Sequence, residues 1–227
     1  LGFELEPETE TSLRHSLLYL ETISGDRIRH EIEMVFDEEN VLDILNMAQD
    51  YGILSKIHPS LYIDIVSIRD NLKKEGRVGS LSRNEILALL VGSASPHDLD
   101  GIVARLTMDS VWAGIIKDVQ LLGNQTDILL RPDIVPSQLH TILRSLSLDA
   151  IEGKALASND GNIRQILRYY MDDLRYVRAR LDGNEILMLG VSPGPRVGEL
   201  LEAILAARMD GKITTKDQEK AFVLANM

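Results

Sequence analysis

Apolar residues recur every three or four positions along almost the whole of this chain, and no stretch alternates with a period of two. That pattern suits helices and excludes a half-buried sheet, so it predicts an all-α fold, an irregular array of many helices with no sheet. Local signals mark the helix ends. Leu13, Leu17, Leu18 and Tyr19 give a first helix its apolar face. Ser24 is placed to cap a second, from about Gly25 to Glu38, with Ile28, Ile32 and Val35 facing inward. Asn40 is placed to cap a third, carrying Val41, Leu42, Leu45 and Ala48, and Gly52 stops it. Ser82 and Ser95-Pro96 open two more, Trp112, Ile115, Ile116, Val119 and Leu122 line another, and Arg131-Pro132 to Pro136 reads as a hinge. No fixed-period repeat appears, which sets the array apart from a solenoid.

The densest set of signals lies between Asp182 and Glu219. Ser192-Pro193-Gly194-Pro195 breaks the chain, and Pro195 occupies the first position of a new helix, where a missing N–H costs nothing. Val197, Leu200, Leu201, Ile204 and Leu205 follow at helical spacing. Gly211 ends that helix, and Thr215 with Gln218 forms a capping box for the next, so the tail predicts a unit resembling helix-turn-helix. Gly194 and Gly198 have two readings. They leave the first amides of the helix open beside Arg196, a seat for a phosphate at the positive end of the dipole, or they let two helices pack closely.

Upstream, a helix predicted from Asn162 to Leu181 puts Arg164, Arg168, Arg175 and Arg178 within about 80° of one another on one stripe. Ile166, Leu167, Tyr170, Leu174, Val177 and Leu181 fill the adjoining sector and face the core. Such a stripe can follow a nucleic-acid backbone without reading sequence, or pair with acids elsewhere in the chain.

Signs of catalysis are weak. Asp98 and Asp100 follow Gly92-Ser93 too closely to form a turn-then-strand metal pair, and Asp98 sits where acids favour a helix start. Asp172 and Asp173 point about 100° apart on a helix and cannot chelate one ion. The histidines (His15, His30, His58, His97, His140) lack metal-ligand spacing. No catalytic residue and no metal site is therefore assigned. The chain has no cysteine, which suits a reducing, cytoplasmic setting, and no apolar run approaches the roughly 20 residues of a membrane span. Its net charge of −11 argues against nucleic acid wrapped over the whole surface, but the charge is uneven. Residues 1–60 hold 13 acids against 4 bases, whereas 161–227 hold 9 against 10.

Two motifs carry a family resemblance. Leu189-Gly190-Val191-Ser192-Pro193-Gly194-Pro195-Arg196-Val197-Gly198 with Met209-Asp210-Gly211-Lys212-Ile213-Thr214-Thr215 resembles the tail of class II tRNA nucleotidyltransferases, the CCA-adding and A-adding enzymes grouped with bacterial poly(A) polymerases. Ser24-Gly25-Asp26-Arg27-Ile28 resembles the start of that family's neck helix, with Asp26 where Glu is usual. There Ser24 and Asp26 serve the helix start, and Arg27 and Glu31, four apart, can pair. Leu1-Gly2-Phe3-Glu4-Leu5 and the Gly52-Ile53-Leu54 to His58-Pro59 close are also similar to the family.

The resemblance implies a partial neck (1–60), a helical body (61–157) and a tail (158–227) with candidate RNA contacts at Arg164, Arg168, Arg175, Arg178, Gly194, Arg196 and Gly198. It implies that the catalytic head, with its Mg²⁺ and ATP or CTP, lies upstream of Leu1, and that this portion needs no cofactor. The implied partners are the acceptor and TΨC arm of tRNA, or another RNA 3′ end, and the protein's own catalytic domain. The tail wording is nearest to long A-adding-type enzymes with extra N-terminal domains. The competing reading is a non-catalytic helical module that docks a protein.

Overall fold

The computed structural model describes residues 5–77 and 81–227, and every regular element among them is helical. In chain order these are α1 (Pro7–Ser16), α2 (Gly25–Phe36), α3 (Val41–Asp50), α4 (Ile53–Ile57), α5 (Ile65–Lys74), α6 (Arg83–Val91), α7 (Pro96–Leu106) and α8 (Ser110–Leu129). There follow α9 (Pro136–Leu143), α10 (Leu148–Ala157), α11 (Gly161–Asp172), α12 (Gly183–Met188), α13 (Pro195–Met209) and α14 (Lys216–Ala225). Short 3-10 turns cover Leu17–Thr22 and Leu174–Tyr176. The all-α expectation is met. The motif residues Leu1-Gly2-Phe3-Glu4 lie outside the described residues.

The chain divides into two compact units, Leu1–Thr126 with Leu146–Arg164, and Asp127–Ser145 with Gln165–Met227. In the first, α6 is apolar on every side and Ile86 to Val91 are all buried, which makes it the central helix of that unit. Gly153 lets α10 cross it closely, since a Cβ there would lie 2.5 Å from the Ala88 Cβ. The same crossing is tied by polar groups. Arg77 donates to Glu152 and, at 2.7 Å, to Glu85, while Asn71 Nδ2 donates to the carbonyls of Leu156 and Ser158 at 2.8 and 3.1 Å.

The neck motif is built differently from its sequence reading. The Ser24 side chain makes no capping bond, nor does that of Asn40. Arg27 and Glu31 form no ion pair; Arg29 takes the acids instead, at 3.3 Å from Asp26 and 2.8 Å from Glu33. What fixes the start of α2 is Gly25, where a Cβ would overlap the Arg105 carbonyl oxygen of α7. The Arg105 guanidinium reaches back to the carbonyls of Leu20 and Ile23, at 2.7 and 3.2 Å, and so ends the preceding 3-10 turn. That turn also overrides the first predicted helix face. The helix gives way to it at Leu17, and Leu18 and Tyr19 are exposed.

In the second unit, Leu181, Ile186, Val191, Leu200, Ile204 and Val223 form the core of the tail. Glu219 of α14 is fully buried against it. Its carboxylate accepts from the amides of Arg180 and Leu181, the latter at 2.8 Å, and from Arg208 Nη1 of α13 at 2.8 Å.

Candidate functional site

The tail's local signals produce the elements expected of them. Asp182 and Glu185 close a capping box on α12, and Thr215 and Gln218 close one on α14. Gly211, at φ 71°, turns the chain out of α13, and its amide bonds the Arg208 carbonyl at 3.0 Å. Pro195 stands at the start of α13, a helix of 15 residues. Gly194 precedes it at φ 149° and ψ −170°, a region open to glycine and closed to other residues.

No side chain caps α13, and the Val197 amide closes only a 3.2 Å bond onto the Gly194 carbonyl. A Cβ at either Gly194 or Gly198 would meet no atom within 4 Å. The close-packing reading of these glycines is therefore incorrect. The helix start faces open space. Arg196 beside it is engaged, with Nη1 3.0 Å from Glu199 and Nη2 on the Asn226 carbonyl at 2.5 Å.

The four-arginine stripe is not continuous. α11 ends at Asp172, a 3-10 turn follows, and Val177 is extended (φ −61°, ψ 135°). Asp172 and Asp173 put two negative charges at the negative end of the helix dipole, with no cation in the last turn to offset them. Arg175 and Arg178 consequently leave the helix face assigned to them. Arg175 lies over the Tyr176 ring, 4.9 Å from its centroid. Arg178 Nη1 folds back onto the carbonyls of Arg175 and Val177 at 2.6 and 2.8 Å. Arg164, in the first unit, donates to the Ser158 carbonyl at 2.7 Å, and Arg168 is half-buried and engaged. Arg175 and Arg178 thus spend no charge on an acid, whereas Arg196 does.

Sequence reasoning missed His140. It is half-buried on α9 against Tyr170, with ring centroids 6.1 Å apart. Burial pushes its imidazole below the ordinary histidine value, and the Arg144 and Arg178 guanidiniums push it the same way. Its place three residues before the buried Leu143 was the sequence signal of that burial. Asp98 accepts from the Ser95 hydroxyl at 2.6 Å in the first turn of α7, which is the helix-start role read for it. Among the described residues no group of acids and histidines has the arrangement to hold a metal ion, and no helix is long and apolar enough to cross a membrane.

Residues 2–63 match a family described as the probable RNA and SrmB-binding site of polymerase A. An A-adding tRNA nucleotidyltransferase of Geobacter sulfurreducens is 23% identical over 96% of this chain, which spans 27% of that relative. These matches are to the class II tRNA nucleotidyltransferases that the two sequence motifs resemble. A CC-adding tRNA nucleotidyltransferase of Thermus thermophilus is 42% identical to this chain over 48 residues, 21% of the chain and 11% of that relative. The fold follows that of the Thermotoga maritima CCA-adding enzyme complexed with tRNA-CCA. The TM-score is 0.76 at 20% identity, over 100% of this chain and 58% of that one. The chain thus spans about a quarter of the Geobacter relative's length.

Proposed function

We propose that this chain is the RNA-gripping part of an enzyme that adds nucleotides, A or CCA, to RNA 3′ ends without a template. The uncovered start of α13 carries the proposal, since a helix terminus with no capping side chain and open space at Gly194 and Gly198 can be approached by a phosphate. Arg175 and Arg178 nearby in sequence keep their charge unspent on acids and suit a second and third backbone contact. Duplex RNA is recognised mainly through backbone and shape, which fits scattered cations in a chain with 4% aromatic residues. The family's description as an RNA-binding site and the tRNA complex of the Thermotoga enzyme favour the same reading.

On this reading Arg164, Arg168, Arg175, Arg178, Arg196 and the α13 start hold the acceptor and TΨC arm, and chemistry belongs to a catalytic domain elsewhere in the protein. That domain would supply the Mg²⁺ and the ATP or CTP site, and a cytoplasmic setting would follow from the substrate. Positioning alone can carry much of the rate in phosphoryl transfer, so a part without catalytic groups still governs turnover. Incubated with ATP, Mg²⁺ and tRNA, this chain should bind the tRNA and leave its 3′ end unextended. Extension would refute the division of labour.

One feature favours protein docking at a separate place. An apolar groove of about 450 Å³ lies among α2, α3 and α4, lined by Ile28, Ile32, Ile44, Leu45 and Leu54 with Arg27 and Glu31 at its edge. It falls inside the segment whose family description names a protein partner as well as RNA.

A further inference from the structure

A cleft of about 300 Å³ opens between α9 and α13 in the second unit, with His140 and Arg144 on one wall and Glu202 and Met209 on the other. The 3-10 turn Leu174–Tyr176 packs on α9 as well, which brings the Arg175–Arg178 segment beside that helix. We propose that His140, Arg144 and Arg178 together form a phosphate seat for the RNA backbone, distinct from the α13 helix start. The inference rests on the RNA reading above.

Three observations carry it. Arg178 is tied down by one nitrogen only: Nη1 holds the Arg175 and Val177 carbonyls, and Nη2 has no partner among the described residues. The guanidinium is thereby fixed in place with donors to spare, which is what a backbone contact needs. Among the described residues Arg144 is held by a long 3.6 Å pair with Glu202, and both side chains are more than half exposed, so a phosphate can displace that carboxylate at little cost.

The field at His140 is the third. The groups facing it are Arg144 on its own helix, Glu202 from α13, Tyr170 from α11 and Arg178 from the segment after the turn; Asp210 near the cleft is occupied by the Ser137 amide and Lys212. Burial lowers the imidazole's affinity for a proton, and both arginines act in the same direction. Around His140 two guanidiniums thus stand against the one carboxylate of Glu202. A phosphate placed there reverses the balance, and His140 takes up a proton to donate to it. Binding and proton uptake become linked, so affinity rises as pH falls.

The C2 proton of His140 can be followed by NMR in the protein, alone and saturated with a tRNA acceptor minihelix, and assigned by its loss in His140→Gln. The midpoint should rise on saturation, and by more than those of the exposed His30 and His97, which report any general effect of a bound polyanion. Each pH unit of rise corresponds to about tenfold tighter minihelix binding at low pH, a gain that His140→Gln should lose with its thermal midpoint intact at about pH 8. Glu202→Gln, which removes the competing carboxylate, should tighten binding. A His140 midpoint unmoved by saturating RNA overturns the seat and leaves the RNA reading standing. No minihelix binding at any pH removes both. Inorganic phosphate at matched concentration should leave the midpoint alone; a shift as large as that given by RNA would mean a seat for a free anion and would overturn the assignment to RNA.

Discussion

Glu219 and Arg208 meet at 2.8 Å with the carboxylate wholly excluded from solvent. This pair joins α13 to α14, and the same carboxylate holds the chain at Arg180 and Leu181, so one side chain fixes three segments of the tail. Removing one partner from a buried pair leaves the other charge uncompensated. Glu219→Gln should cost about 3–5 kcal/mol of stability, read by denaturant or thermal unfolding. Combining it with Arg208→Met should restore a large part of the loss.

Three glycines should respond in different directions to alanine. Gly25→Ala drives a Cβ into the Arg105 carbonyl and should destabilise by about 1–3 kcal/mol. Gly194→Ala should cost a similar amount, about 1–3 kcal/mol, because φ 149° strains any other residue although space is open. Gly198→Ala, in the first turns of an exposed helix with nothing near its Cβ, should stabilise by about 0.5–1 kcal/mol. Thermal melts of the three variants check the order.

How far the sequence discloses such features depends on their range. The capping boxes at Ser82, Asp182 and Thr215 are contained within four residues, and local chemistry was enough to read a helix start at Ser82 and the box at Thr215. Glu219 was read only as part of a helix, since its burial comes from partners as far away as Arg180, 39 residues back. Ser24 misled for a related reason: the start of α2 is set by a crossing with Arg105, and the serine was left without a capping role. The arginine stripe failed because 3.6-residue periodicity was carried through Asp172-Asp173, where helix-end electrostatics stop the helix. At Gly198 the sequence left packing and openness undecided, and only the surrounding atoms choose between them.

Acid should weaken the first unit through Asp64. The Ser67 hydroxyl, at 2.7 Å, and then the Ser67 amide, at 3.1 Å, hold this helix-capping carboxylate below the ordinary aspartate value. A depressed folded value means the stabilisation is complete above the ordinary value and is lost as pH falls through the depressed one. Asp64→Ala should cost about 1 kcal/mol at neutral pH. The difference between the two proteins should shrink below about pH 4 when melts are compared across pH.

His140 gives the free protein a second pH dependence. Its imidazole is held neutral by burial and by Arg144 and Arg178, so the unfolded chain binds the proton more readily. Stability should therefore begin to fall as pH drops through about 6.5 and level off below the depressed folded value. His140→Gln should remove that portion of the slope in thermal melts recorded without RNA.

Salt dependence of binding is the most direct probe of whether this tail grips an RNA backbone. The equilibrium constant for a tRNA acceptor minihelix, measured over a range of salt, should fall linearly on logarithmic axes. Arg175→Gln should flatten the slope by about one. A minihelix affinity indifferent to salt, or a slope unchanged by that substitution and by Arg178→Gln, would contradict it.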